Sequence, residues 1–249
     1  MRPKITLITP VYNGEKYIEQ SIKSIISQTY ESFEYIIVDG NSKDKTHNII
    51  NKYKDKIDKI IIREDKTMYE ALQKGFLNAN GDYFCWINSD DYLIDKNSIK
   101  RFSIAIEKYG YDWMNFTASI AKYDQDPKIY FPLFYPRLIL KKGLANNCFW
   151  GFVQQENTVF SKNLYNKVGG IDPKFKMAGD FDLWKRFAKY KSLKPIRLNF
   201  ACHRKSDKQL TNLDTYYKEI KKRKCTFNFF YPLRFILSLL IYLFIPKVE

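Results

Sequence analysis

The chain has 249 residues, too many for one minimal domain and too few for two independent ones, so the expectation is one α/β domain with an added substrate-side region. A hydrophobic content of 45% is enough for a sizeable core, and a formal charge of +15 points to phosphate, anionic lipid or nucleic acid as partners without choosing among them. Four scattered cysteines (Cys85, Cys148, Cys202 and Cys225) form no CxxC pair, which excludes a metal finger and favours buried thiols in a reducing compartment.

In chain order, Ile5 to Thr9 is a short β-rich run closed by Pro10, and Asn13-Gly14 turns the chain. Residues Glu15 to Ser27 then carry Tyr17, Ile18, Ile22, Ile25 and Ile26 at helical spacing. Tyr35 to Val38 is a continuous apolar run that stops at Asp39-Gly40, and Ser42 or Asp44 is placed to cap a second helix bearing Ile49, Ile50 and Tyr53. Ile60-Ile61-Ile62 reads as a third strand, Met68 to Asn78 as a third helix, and Tyr83 to Ile87 as a fourth strand. Wholly apolar strands alternating with helices predict a parallel sheet covered on both faces. In such sheets ligands bind at the carboxyl ends of the strands. Thr9 to Asn13, Asp39, Asp65 and Asn88 to Asp91 all fall at strand ends and should line one cleft.

Regularity breaks after a helix over about Asn97 to Tyr109, where the Tyr- and Pro-rich stretch from Tyr123 to Tyr135 reads as a loop-rich acceptor region. Order returns at Thr158-Val159-Phe160, followed by a helix capped near Ser161. Ala178-Gly179-Asp180 leads into another helix with Phe181, Leu183, Trp184 and Phe187 apolar. The divisions expected are 1–95 as a donor half, 96–212 as an acceptor and catalytic half, and 213–249 as a basic, apolar helical tail.

The acidic turn Asn88-Ser89-Asp90-Asp91 follows a buried strand, so its carboxylates emerge at the ligand edge of the sheet. A divalent cation bridging a diphosphate needs one or two carboxylates there. Taken in order, Thr9-Pro10-Val11-Tyr12-Asn13, Ile37-Val38-Asp39-Gly40, Met68 to Gly75, Asn88 to Asp91, and Gly169-Gly170-Ile171-Asp172 with Gly179-Asp180-Phe181-Asp182-Leu183-Trp184 resemble the inverting family 2 glycosyltransferases of GT-A fold. The resemblance covers most of residues 5 to 210.

That resemblance implies a GT-A-type, Rossmann-like, mostly parallel sheet flanked by helices, and a metal-dependent transfer of sugar from a nucleotide sugar, most simply a UDP-sugar. The acceptor would be a hydroxyl of a saccharide or lipid-linked molecule in surface polysaccharide or glycolipid assembly. By matching positions, Pro10, Val11, Tyr12, Asn13, Asp39, Asp65, Lys74 and Ser89 are nucleotide-site candidates, with Asp39 accepting from a uracil-type imide. Asp90 and Asp91 are candidate ligands of Mn2+ or Mg2+, although Asn88 stands where many members have an Asp. Asp180 is the candidate base, with Asp182 its rival and Gly179 in place of a common Glu. Gln154, Gln155 and Trp184 are acceptor-site candidates, Trp184 at a spacing more often found in a core than on a sugar platform; His203 and Arg204 are candidates near the diphosphate or metal.

The tail from Phe227 to Ile245 is apolar, and Lys218 to Lys224 just before it is basic. As a helix, Leu233 to Ile245 would be about 20 Å long against a hydrocarbon core of about 30 Å, which favours an in-plane contact with an anionic membrane over a span. With no signal peptide at Met1-Arg2-Pro3-Lys4, the expected place is the cytoplasm, on the inner membrane face. The competing readings are a nucleotidyltransferase, disfavoured because Val11-Tyr12-Asn13-Gly14 is no Gly- and Lys-rich phosphate loop, and a non-enzymatic basic module binding lipid or nucleic acid. Under the leading reading no nucleic-acid partner is expected.

Overall fold

A computed structural model of the chain describes residues 2–117, 119–122, 126–129, 134–146, 150–205, 213–221, 231–242 and 244–248. The first ninety residues follow the expected alternation: Ile5–Val11 (β1), Ile18–Ile26 (α1), Phe33–Asp39 (β2), Thr46–Asn51 (α2), Lys59–Ile62 (β3), Met68–Leu77 (α3) and Tyr83–Trp86 (β4). β1 is buried along its whole length, which is why its sequence runs apolar instead of alternating. Ile18, Ile22 and Ile25 put one face of α1 into the core. α3 begins where the Thr67 hydroxyl accepts from the Glu70 N–H at 3.1 Å, satisfying one of the helix's open donors.

Downstream come Tyr92–Leu93 (β5), Ser98–Tyr109 (α4), Trp113–Thr117 (β6), Ser119–Lys122 (β7), Lys128–Ile129 (β8) and Arg137–Lys141 (α5). Thr158–Ser161 (β9), Lys162–Lys167 (α6), Gly179–Phe187 (α7), Lys194–Asn199 (β10), Ala201–Lys205 (β11), Leu213–Glu219 (α8) and Tyr231–Tyr242 (α9) follow. The break in regularity expected after residue 97 is smaller than the sequence suggested, because Trp113 to Thr117 is a fully buried strand. Much of the Tyr123 to Tyr135 stretch lies outside the described residues, as do Cys148 and Cys225; Cys85 and Cys202 are buried and free.

The main sheet has seven strands in the order β10-β6-β9-β4-β1-β2-β3. Neighbours are parallel except around β9, which runs antiparallel to both β4 and β6. β11 forms a second, four-stranded sheet with β5, β7 and β8. Alternation along the strands sends Leu7 and Ile37 to one core and Ile8 and Val38 to the other. In the second core Trp184 lies between Trp86 and Trp113, with 5.6 Å between centroids on each side and near-parallel planes. Each such ring pair adds about 0.5–1.5 kcal/mol beyond area burial. Close packing of α3 on β1 depends on Gly75, where a Cβ would lie 2.8 Å from Ile8 Cγ2.

The tail helix α9 is docked on the domain. Ser238 is buried and its hydroxyl accepts from the Phe134 N–H at 3.4 Å, while Arg197 stacks over Tyr242. Beyond α9, residue 247 bridges to Arg197 of β10, and Arg197 donates its N–H to the Pro246 carbonyl at 2.7 Å. Leu233, Ile236, Leu240 and Phe244 form an exposed stripe on the opposite face. Among the described residues no helix is long and apolar enough to cross a membrane. Lys222, Arg223 and Lys224 of the basic run lie outside the described residues.

Candidate active site

The loops that leave β1 and β2 are laced together. Asn13 donates its N–H to Ser42 Oγ at 2.8 Å, and its side-chain oxygen accepts from the Lys43 N–H at 2.8 Å. Gly14 N–H reaches Thr46 Oγ1 at 2.9 Å, and Glu15 N–H reaches Asp44 at 3.0 Å. Asn13 and Asn41 both hold positive φ, +50° and +64°, a conformation Asn tolerates better than most side chains. Asp39, fully buried, accepts from the Ser42 N–H and hydroxyl through Oδ1, and its Oδ2 faces His47 Nε2 at 2.6 Å. Tyr12 is 60% exposed, and its ring passes close to Gly40, where a Cβ would lie 3.3 Å from Tyr12 Cδ2. Pro10 and Val11 are buried in β1, so only their backbone can meet a ligand. Asp65 and Lys74 bond to each other, and Lys74 also donates to the Glu64 carbonyl at 3.2 Å. Ser89 sits across from Gly14, its Oγ 3.2 Å from where a Cβ of residue 14 would be.

At the end of β4 the acidic turn meets two other elements. Asp91, Glu156 and His203 offer ligand atoms that all lie within 4.8 Å of one another. Glu156 comes from the 3-10 turn Gln155–Asn157 and His203 from β11. His203 Nδ1 is 3.3 Å from Asp91 and 3.8 Å from Glu156. Burial alone would lower the imidazole pKa, but the Asp91 hydrogen bond and the charges of Glu156, Asp91 and Asp90 lift it to about 10. Burial pushes the Glu156 carboxyl upward despite His203, and burial with the Asp91 charge raises Asp90 likewise. The cluster therefore holds more negative charge than its own residues neutralise, and a protonated His203 stands where an external cation would compete. Buried polar atoms without a hydrogen-bond partner concentrate here: Asn88 Oδ1, Asp91 Oδ2, Gln154 Oε1, Gln155 Oε1 and Glu156 Oε1. Such atoms are rare in folded proteins and call for a partner such as water, an ion or a ligand.

Asp180 opens α7 beside this cluster, close enough that its charge acts on Glu156. Its Oδ1 lies 3.1 Å from the Tyr69 hydroxyl, which is also 3.1 Å from the Met177 carbonyl. Burial raises the Asp180 carboxyl from 3.8 to about 6, with the Phe181 N–H and Tyr69 opposing. A small cavity of about 10 Å³ adjoins it, lined by Phe152, Phe181, Trp184 and Tyr216 among others. Gly179 is explained by contact: a Cβ there would lie 2.7 Å from the Tyr69 ring.

Three sequence-based assignments change on this geometry. Trp184 is no exposed sugar platform: it is 3% exposed, stacked in the core, and reaches the cavity only as lining. Arg204 is 2% exposed, its guanidinium bonded to Gln20 and the Asp90 carbonyl and lying over Tyr17 and Tyr92, so it braces the acidic turn from behind. Asp182, the rival base, is tied to Arg186 at 2.7 Å. Glu156 and Tyr69 were not singled out in the sequence, and His47, at a helix start, was assigned no role. A buried carboxylate within Gln154-Gln155-Glu156-Asn157, next to a buried strand, was the one available signal for the first.

A mostly parallel sheet whose strand ends carry a laced loop pair, an acidic cluster and a separate buried carboxylate matches the architecture of GT-A glycosyltransferases. The family model of glycosyl transferase family 2 matches residues 6–169, and the chain belongs to that family. It is 30% identical over 207 residues to the uncharacterized glycosyltransferase RT0329 of Rickettsia typhi, covering 77% of this chain and 60% of that protein. TuaG of Bacillus subtilis, named for teichuronic acid biosynthesis, is 33% identical over 111 residues, 43% of this chain and 44% of the relative. The chain thus spans 60% of the length of its Rickettsia relatives from R. typhi and R. prowazekii. Among solved structures, S. aureus TarS 1–349 in complex with UDP-GlcNAc superposes with a TM-score of 0.69 at 18% identity, covering 86% of this chain and 64% of that one. The mannosyltransferase PcManGT of Pyrobaculum calidifontis, in complex with GDP-Man and Mn2+, gives 0.65 at 16% identity, covering 98% and 70%. At these identities the two structures establish the fold.

Proposed function

We propose that the chain is a metal-dependent inverting glycosyltransferase that moves a sugar from a UDP-sugar to a hydroxyl of a saccharide or lipid-linked acceptor, in surface polysaccharide or glycolipid assembly. The observation that carries this reading is the concentration of unpartnered carboxylate and amide oxygens between the acidic turn and Asp180. Asp39, held by Ser42 and faced by His47, would receive the nucleobase, with Tyr12 lying over it and Asn13 and Ser89 at the mouth. The Asp65 and Lys74 pair would border the nucleoside.

Asp91, Glu156 and His203, with Asp90 beside them, fit Mn2+ or Mg2+, since their donor atoms converge and Asp91 Oδ2 and Glu156 Oε1 are buried without a hydrogen-bond partner. When bound, the ion supplies positive charge to the departing diphosphate. Glu156 would restore the charge that Asn88 removes from the acidic turn. Asp180, ionised, takes the proton of the acceptor hydroxyl as that oxygen attacks the anomeric carbon; Tyr69 holds its carboxylate in place. Gln154 and Gln155 offer amide oxygens to acceptor hydroxyls. The exposed stripe of α9 and the chain's positive charge support peripheral contact with an anionic membrane at the cytoplasmic face.

A thermal-shift screen of UDP-, GDP-, dTDP- and CMP-sugars with and without Mn2+ tests the donor, because a true ligand stabilises the fold by mass action. Asp180→Asn should keep donor binding and lose about 10²-fold or more in turnover. Retained turnover would sink the base assignment.

A further inference from the structure

The first tail helix, α8, contacts the turn that delivers Asp180. Glu219, at its end, accepts three backbone N–H groups: Lys176 at 2.7 Å through Oε1, Met177 at 3.0 Å and Ala178 at 2.9 Å through Oε2. These are the donors just ahead of α7, which starts at Gly179. Left alone, such groups at a helix entrance are open and the preceding turn is free to swing. The same turn is held from the other side by Tyr69, whose hydroxyl lies 3.1 Å from both the Met177 carbonyl and Asp180 Oδ1. Packing agrees: Ala178, Tyr216 and Tyr217 form a small apolar cluster, with Met177, Phe181 and Ile220 against it. Tyr216 also lines the cavity beside Asp180 and carries a buried hydroxyl without a partner.

We infer that Glu219 is a positioning residue for Asp180, fixing the 176–178 turn so that the carboxylate is aimed before an acceptor arrives, and that α8 therefore belongs to the acceptor wall and not to a membrane tail. This rests on Asp180 being the base. A Gln at 219 keeps the length but offers one carbonyl oxygen and sets an N–H against a backbone N–H, so one side of the fork is lost. An Ala loses all three contacts.

The test uses the full chain carrying ¹³C-labelled tyrosine, with the Tyr69 resonance assigned by Tyr69→Phe, together with amide exchange at residues 176–178. Glu219→Ala should move the Tyr69 resonance, speed exchange at those amides at least tenfold with β1 and β4 unchanged, and lower turnover about 10- to 100-fold while donor KM stays within twofold. Glu219→Gln should fall between wild type and Ala on every readout. It also carries the test if the Ala variant does not fold, through the loss of protection at residues 176–178. Unchanged tyrosine signal and exchange in a folded variant, or turnover at the wild-type level, would overturn the inference. Asp180→Asn, run alongside with the same sugar-nucleotide panel, separates the two ideas. An active Asp180→Asn defeats the base reading, whereas an inactive one beside a fully active Glu219→Ala defeats the positioning role alone.

Discussion

The Tyr69 hydroxyl stands 3.1 Å from Asp180 Oδ1, joining helix α3 to the carboxylate at the start of α7. Tyr69 is 2% exposed and its ring lies against Gly179, so this contact is fixed by packing as well as by hydrogen bonding.

The contact sets the pH dependence. As the proposed base Asp180 would work ionised, and its carboxyl is raised from 3.8 to about 6 by burial, so turnover should climb as pH rises through about 6. Tyr69 lowers that pKa, so Tyr69→Phe should move the acid limb of kcat to higher pH and reduce its plateau several-fold. The sign for folding is opposite: the native state keeps this proton longer than the unfolded chain, and its contribution to stability declines as pH rises from 3.8 to about 6. A limb that stays in place in Tyr69→Phe would contradict the assignment.

Gly179→Ala tests the close contact directly. The added Cβ would sit 2.7 Å from the Tyr69 ring, which is buried and has no room to withdraw. Overpacking of this kind costs about 1–3 kcal/mol, and urea denaturation of the variant should read a loss in that range. A neutral result would mean that the α7 entrance is looser than its contacts imply.

Metal binding should release protons. His203 is raised to about 10 by its carboxylate neighbours, so at neutral pH a cation must displace its proton to use that nitrogen. Mn2+ titrations in buffers of different ionisation enthalpy should give apparent heats that track the buffer. His203→Ala and Glu156→Gln should each weaken Mn2+ binding about tenfold or more. Heats independent of buffer would remove His203 from the ligand set.

Sedimentation with vesicles tests the tail. The full chain should bind vesicles containing phosphatidylglycerol and leave neutral phosphatidylcholine vesicles unbound, with binding falling as salt rises. The pair Ile236→Glu and Leu240→Glu lies on the exposed stripe, away from buried Ser238, and should cut binding about tenfold with little change in stability. Equal binding by the variant would show that the stripe faces something other than lipid.

The elements of the first ninety residues were nearly all legible in the sequence, because continuous apolar strands ending at Asp39 and Asn88 announce a parallel sheet. Trp113 to Thr117 escaped notice because a short buried strand has no periodicity to separate it from its surroundings. The contacts of Glu156 and Tyr69 went unread for another reason. Each acts through a partner distant in the chain, as Tyr69 does with Asp180, and nothing in local spacing records such a pairing. For Trp184 the core position was the stronger of two readings in the sequence and the stack with Trp86 and Trp113 bears it out, although spacing alone reads alike whether an aromatic faces solvent or two other tryptophans.

The bridge between residue 247 and Arg197 has a consequence for handling the protein. β10 is the outermost strand on its side of the main sheet, and the segment around residues 246–248 lies along it, with Val248 donating its N–H to the Arg197 carbonyl at 3.4 Å. An uncovered edge strand is a template for pairing with another chain. Trimming these few residues would bare that template, and the first symptom would be self-association.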